Sequence, residues 1–262
     1  EIRENLDHRD FGNIFHSAMQ YIYEPYKNEV ISEKLLEQII KDEYKIEKII
    51  KKAFIKDFFN ESNEENFNLS AQHTINIYII KEYVLRMLKE DKKNTPFVYI
   101  DSERLYEISL PIFENKQEVL LKGYIDRIDK KEDKIRLIDY KTGRKDIRGR
   151  ENPIDTIFDK SIKQRNKEYL QVLFYTYLYE SIYYEKAENL LPTLIFTREF
   201  FLKSNNSTLS IDCYKDIKDE FILNLQAIIE EILNEDIPFS QTEVKEHCEY
   251  CHYIEICNKN KK

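Results

Sequence analysis

Residues 116–150, KQEVLLKGYIDRIDKKEDKIRLIDYKTGRKDIRGR, decide how the whole chain is read. Two β-type runs, EVLLKGYIDRI and KIRLIDYKT, flank a short charged connection at 129–133, and the pattern predicts a hairpin. Residues two apart in a strand share a face, so Asp139 and Lys141 point the same way, following Ile135 and Leu137. Asp126, near the end of the preceding run, comes opposite them if the strands pair in the simplest register. The expectation is two carboxylates and one ammonium gathered at a strand end, a donor set suited to a divalent metal ion. Acid–lysine pairs also arise as ordinary ion pairs, so the pair alone does not assign a function.

Past the second run the chain turns basic. Lys141, Arg144, Lys145, Arg148 and Arg150 crowd its exit, followed by Lys163, Arg165 and Lys167. Over all 262 residues the net charge is −8, which argues against a general nucleic-acid binder, because such affinity comes largely from Lys and Arg at phosphates. Local clustering matters more than the total. It names Arg144, Lys145, Arg148, Arg150 and Arg165 as candidate phosphate contacts beside the acids. A hydrophobic content of 42% with 13% aromatics fits a globular chain. No apolar run approaches the ~20 residues of a membrane span, and no secretory pattern opens the sequence, so a cytoplasmic protein is expected. The absence of a Gly-x4-Gly-Lys-Ser/Thr loop excludes a motor ATPase of that type.

Working outward, residues 10–26 predict a helix with Asp10 as N-cap and Pro25 as stop. Phe11, Phe15, Ala18 and Ile22 share one of its faces, and His16 lies on another. Amphipathic helices are expected over 32–60 and 68–91, packed as a cap beside the sheet, with His73 structural. Residues 97–100 and 104–112 predict strands, with Glu107 on a solvated face. A Tyr-rich helix over 166–184 sets Gln171 and Tyr175 four apart on one face. Strands over 191–202 and 208–213 and a helix over 217–233 complete an α/β sandwich with a mixed sheet. The chain divides into a helical part, 1–95, a core, 96–240, and a tail, 241–262. In the tail, Cys248, Cys251 and Cys257 stand as Cys-x2-Cys-x5-Cys, which in a cytoplasmic chain points to metal rather than disulfides. Zinc held with His247 or His252 is one reading of it. Cys213 reads as a small buried hydrophobe.

The wording GYIDRID at 123–129 and IDYKTG at 138–143 resembles the core of the PD-(D/E)XK nucleases, and within them the RecB-like branch of AddB-type helicase–nucleases. FGNIFH at 11–16 is similar to that branch's Gly-x-x-x-His helix. Gln171 and Tyr175 match its accessory Gln-x-x-x-Tyr, and the tail resembles half of its iron–sulfur staple. These motifs occur in the family's order from Phe11 to Cys257. The resemblance implies a restriction-endonuclease-like mixed sheet flanked by helices, with an N-terminal helical cap. It implies a metal-dependent deoxyribonuclease, part of a helicase–nuclease working on DNA ends, with DNA and a helicase as partners. Mg2+ or Mn2+ would be held by His16, Asp126, Asp139 and the Tyr140 carbonyl, Lys141 would act on the attacking water, and Gln171 and Tyr175 would hold the site. No cysteine precedes His16, so a four-iron four-sulfur cluster is expected to be incomplete in this sequence. The alternative is a catalytically silent DNA-binding or scaffold module, which the retention of Asp126, Asp139 and Lys141 opposes.

Overall fold

The computed structural model describes residues 6–61, 69–114, 116–143, 145, 153–162, 165–202, 207–238, 240–249 and 251–257. The first helix, α1, spans His8–Tyr23 and starts a turn before the sequence suggests. Asp7 is its N-cap, accepting from the Arg9 and Asp10 amides, and the Asp10 carboxylate accepts in return from the Asp7 amide. The acid expected as the cap is therefore the second half of a capping box. Pro25 does stand just past the helix, in a short 3-10 turn over Glu24–Tyr26.

The helix expected over 32–60 is two helices, α2 (Glu33–Lys41) and α3 (Glu43–Phe59), joined at Asp42. An Asp side chain competes with helical hydrogen bonding by capping nearby amides, and Asp42 accepts from Lys45 N at 3.0 Å. The next helix, α4 (Ala71–Lys93), opens on Ser70, whose hydroxyl accepts from His73 N while His73 Nδ1 accepts from Ser70 N. His73 is buried against Phe54, Phe58 and Phe59, so capping and packing account for it.

The strands are β1 (Val30–Ile31), β2 (Phe97–Asp101), β3 (Arg104–Ile112), β4 (Gln117–Ile125), β5 (Arg127–Lys131), β6 (Lys134–Lys141), β7 (Leu190–Phe196) and β8 (Thr208–Ser210). Six form a mixed sheet in the order β1-β2-β5-β6-β7-β8, with β6 and β7 parallel, and β3 pairs with β4 in a separate ribbon. The first run of the expected hairpin is thus not one strand. It breaks at Asp126, one half pairing with β3 and the other with β6 around a turn in which Glu132 takes a positive φ of 54°.

Helices α5 (Pro153–Phe158), α6 (Lys167–Tyr183) and α7 (Tyr214–Leu233) follow, and a short α8 (Ile254–Cys257) lies in the tail. Strand alternation divides the core. Ile138, Tyr140, Ile195, Phe97 and Tyr99 join α1, α3 and α4 on one face. Ile128, Leu137 and Leu194 join α5, α6, α7 and the inner side of the β3–β4 ribbon on the other. The expected mixed sheet flanked by helices is present. No helix among the described residues is long and apolar enough to cross a membrane.

Behind the sheet's centre sits a buried charge cluster. Arg127, 1% exposed, donates to Asp129 at 2.9 and 2.6 Å, to Asp91 at 2.7 Å and to the Tyr140 hydroxyl at 3.1 Å. Its guanidinium also lies 4.7 Å from the ring centroids of both Tyr23 and Phe97. Removing one member of such a cluster leaves uncompensated buried charge. Arg127→Met is accordingly expected to lower the urea-unfolding free energy by about 3–5 kcal/mol. A loss within experimental error would mean that Asp91 and Asp129 are neutral or reached by water.

Candidate active site

The break at Asp126 builds the site. Register pairs Arg127 with Ile138, so Asp126 arrives opposite Asp139, and its Oδ2 accepts the Tyr140 amide at 2.7 Å. Asp139 and Lys141 share a face of β6 as expected, and Lys141 Nζ stands 2.7 Å from Asp139 Oδ2. The same ammonium donates to Gln171 Oε1 at 2.6 Å, and Gln171 Nε2 donates to the Tyr175 hydroxyl at 2.8 Å. Helix α6 thus reaches the end of β6 through one lysine. Gly123 makes the approach possible: a Cβ there would fall 2.7 Å from the Tyr175 ring.

Helix α1 closes the site from the other side. A Cβ at Gly12 would lie 3.5 Å from Thr142 Oγ1, so the helix runs close to the end of β6. One turn later, His16 Nδ1 lies 3.5 Å from Asp126 Oδ2 and 3.3 Å from Glu103 Oε1. Its ring meets the Tyr140 ring edge to face. His16, Glu103 and Asp126 each offer a ligand atom within 4.8 Å of the others.

Glu103 is the residue that sequence reasoning missed. Glu107, on the strand that follows, is exposed. Glu103 adopts a φ of 48°, and its amide donates to Ile125 O at 2.8 Å, which fixes it beside Asp126. A β3–β4 pairing that sets Arg104 against Ile125 would have revealed it, but one long run ending at Ile128 hides that pairing.

The electrostatics are unusual for neutral pH. Asp126 is pushed up to about 8, by burial first and then by the Asp139 and Glu103 charges, against the opposing His16 and Tyr140 amide. Asp139 is raised by burial, with Lys141 and His16 opposing. Burial works against a charged His16, yet Asp126, Glu103 and Asp139 together outweigh it and push the imidazole up to about 9. Oδ1 of the fully buried Asp139 has no hydrogen-bond partner, its Oδ2 meets the Lys141 ammonium, and Oε1 of Glu103 meets only the His16 ring. Buried acceptors left open beside a His nitrogen form a hard donor set that fits a divalent ion.

Of the expected phosphate contacts, Lys145 places its ammonium 5.3 Å from the Phe196 ring centroid and Arg165 is exposed just before α6. Arg144, Arg148 and Arg150 lie outside the described residues. Cys248 is buried, Cys251 half-buried and Cys257 exposed, and all are free thiols. Among the described residues these cysteines, with His247 and His252, do not come within ligand distance of a common point.

A mixed sheet thus brings two acids and a lysine together at the end of β6, with a His-bearing helix against them. The chain matches the PD-(D/E)XK nuclease superfamily over residues 1–258 and belongs to it. No curated protein matches the sequence. Nucleases of this superfamily use divalent metals, in keeping with the open carboxylates here.

The raised proton affinities carry a stability consequence. Asp126, Asp139 and His16 all bind protons more tightly in the folded state. The native state therefore holds more protons than the unfolded chain between the ordinary carboxylate pKa and about 9, and stability falls as pH rises through that window. In EDTA the Tm is expected to drop between about pH 6 and about pH 9. Asp126→Asn should flatten that drop and raise the Tm at its alkaline end by about 2–4 °C or more, the shift that 1 kcal/mol produces in a chain of this size. A flat profile for the parent protein would contradict the charge assignment.

Proposed function

We propose that the chain is a metal-dependent deoxyribonuclease of the RecB-like branch, acting as the nuclease domain of a helicase–nuclease on DNA ends in recombination or repair. One observation carries the proposal: the fully buried Asp139 keeps Oδ1 open while its Oδ2 meets an ammonium that a second partner also holds. Supporting it are the superfamily match and the order of the Gly-x-x-x-His, Asp, Asp-x-Lys and Gln-x-x-x-Tyr motifs.

His16, Asp126, Asp139 and the Tyr140 carbonyl would hold Mg2+ or Mn2+ together with Glu103, whose carboxylate stands within 4.8 Å of the His16 and Asp126 ligand atoms. Such an ion, when bound, polarises a phosphate oxygen and lowers the pKa of a coordinated water. The remaining chemistry belongs to the chain. Lys141 is held between Asp139 and Gln171, which leaves a third N–H to meet the attacking water or the oxygen on which charge develops. Gln171 cannot turn away, because Tyr175 receives its amide. His16 balances the acids as an imidazolium, and as a ligand to the ion it would have to be neutral. Lys145 and Arg165, with the basic residues near them in sequence, are assigned to the DNA backbone. A cluster or zinc ion at Cys248, Cys251 and Cys257 would need a fourth ligand from a histidine or another segment.

Labelled linear and circular DNA incubated with Mg2+, Mn2+ or EDTA tests this function. Cleavage is expected with either ion and not with EDTA. Lys141→Ala should reduce the rate about 10²–10³-fold with little change in folding, as expected for the loss of a donor aimed at developing charge. Metal-independent cutting, or a Lys141→Ala protein that cuts normally, would contradict it.

A further inference from the structure

Apart from the basic loop, the chain carries a row of cations built into a helix. Lys45, Lys48, Lys52 and Lys56 recur along α3 at intervals of three, four and four residues, which sets all four on one face. All are exposed, and no acid from Glu43 to Asn60 shares that face. The acids nearby are engaged elsewhere. Glu47 pairs with Lys51, Glu43 and Glu47 reach Lys81, Asp57 accepts from the Ser17 hydroxyl, and Asp42 accepts from the Lys45 amide. Among the described residues none of the four lysines has an acid within ion-pair distance. Like charges four apart destabilise a helix, and Lys48, Lys52 and Lys56 repeat that spacing in a chain whose net charge is −8. Helix stability therefore does not account for the row.

The row is anchored, and it leads to the site. Lys52 and Lys56 place their ammonium groups 4.9 and 5.4 Å from the Tyr21 ring centroid, and Lys56 donates to the Tyr21 hydroxyl. A cation over an aromatic face is attracted by the ring quadrupole, so this pair is held against α1 rather than left to sweep solvent. The neighbouring face of α1 carries Asn13, Ser17 and Tyr21, four residues apart and uncharged. Lys56 borders the same opening as His16 and Glu103. From there the row runs away from the metal-ligand cluster for about 16 Å to Lys45, an axial length over which one strand of a duplex carries about five phosphates.

We propose that the lysine row of α3 holds the sugar–phosphate backbone of the DNA on one side of the scissile bond, with Lys56 nearest the metal-ligand cluster and Lys45 farthest from it. The proposal rests on the nuclease function above and adds a second phosphate-contact surface to it, since the basic residues after β6 leave the cluster from the Lys141 side. Lysine meets a phosphate as a point charge on a flexible stem. Contacts of that kind fix the position of the backbone and the affinity without reading the bases.

Anisotropy of a fluorescein-labelled DNA duplex with one single-stranded arm, titrated with protein in Ca2+ over a range of KCl, reads this surface without relying on turnover. A triple variant, Lys45→Gln with Lys48→Gln and Lys52→Gln, removes three charges at exposed helix positions and keeps a good helix former at each. It is expected to weaken binding most at low salt and to reduce the slope of log affinity against log salt by about two to three. Where the triple does not fold, Lys48→Gln alone should reduce the slope by about one. A second triple, Lys122→Gln with Lys186→Gln and Lys215→Gln, makes the same change in net charge at exposed positions elsewhere and should keep the parent slope. An unaltered slope in the α3 variants, an equal fall in both triples, or a parent protein that binds no DNA would overturn the proposal even where Mg2+-dependent cleavage is intact. A parent protein that never cleaves, with the slope still lowered by the α3 variants alone, would sink the nuclease function and leave the lysine row standing.

Discussion

The buried hydrogen bond from the Tyr140 amide to Asp126 is the joint on which the site depends. At Asp126 the chain leaves the β3–β4 ribbon and enters the central sheet, so the residue belongs to neither ladder. Its carboxylate is free to bond across to β6, and that bond fixes where the acid stands relative to Asp139. Without it, Arg127 would still tie the passage to the Tyr140 hydroxyl, but nothing would hold the Asp126 carboxylate against the backbone between Asp139 and Lys141.

Tyr140 separates two opposite electrostatic regimes. At its hydroxyl end, Arg127, Asp91 and Asp129 form a buried network in which each charge meets an opposite one, and Arg136 adds a further pair to Asp129. At its amide end, Asp126, Asp139 and Glu103 crowd together, with Asp139 Oδ1 open and the proton affinities of Asp126 and Asp139 raised. The first arrangement holds a strand rigidly in place. The second is costly in the isolated chain, because ionised carboxylates removed from water need a counter-charge. Rigid support behind strained acids lets the acids stay close until a cation neutralises them, and local strain at functional sites is tolerated where the surroundings over-determine it.

Much of this was legible in the sequence, for identifiable reasons. Period-two alternation placed Asp139 and Lys141 on one face, and period-3.6 spacing placed Gln171 and Tyr175 on another; the structure joins the two pairs through the 2.6 Å contact from Lys141 to Gln171. What stayed hidden were features set by pairing between distant segments. The partition of residues 117–131 between two ladders was hidden because β-forming residues recur from Glu118 to Ile128, with no turn cluster around Asp126 to mark the change of partner. Glu103 was concealed with it. The Asp42 break and the Asp7 cap were missed because Asp competes locally for amides wherever the chain allows, and hydrophobic periodicity does not register that competition. Arg127 was equally unreadable: nothing local distinguishes it from the solvated arginines of the basic loop.

The central claim is that the joint at Asp126, between β4 and β5, assembles a divalent-cation site with β6 and α1. Anomalous diffraction from a crystal soaked in Mn2+ locates such an ion without recourse to activity. The account predicts one strong peak within ligand distance of the Asp126 and Asp139 carboxylates, lost when Asp139 is replaced by Asn. A peak confined to other acids, or none at this position at saturating Mn2+, would contradict it.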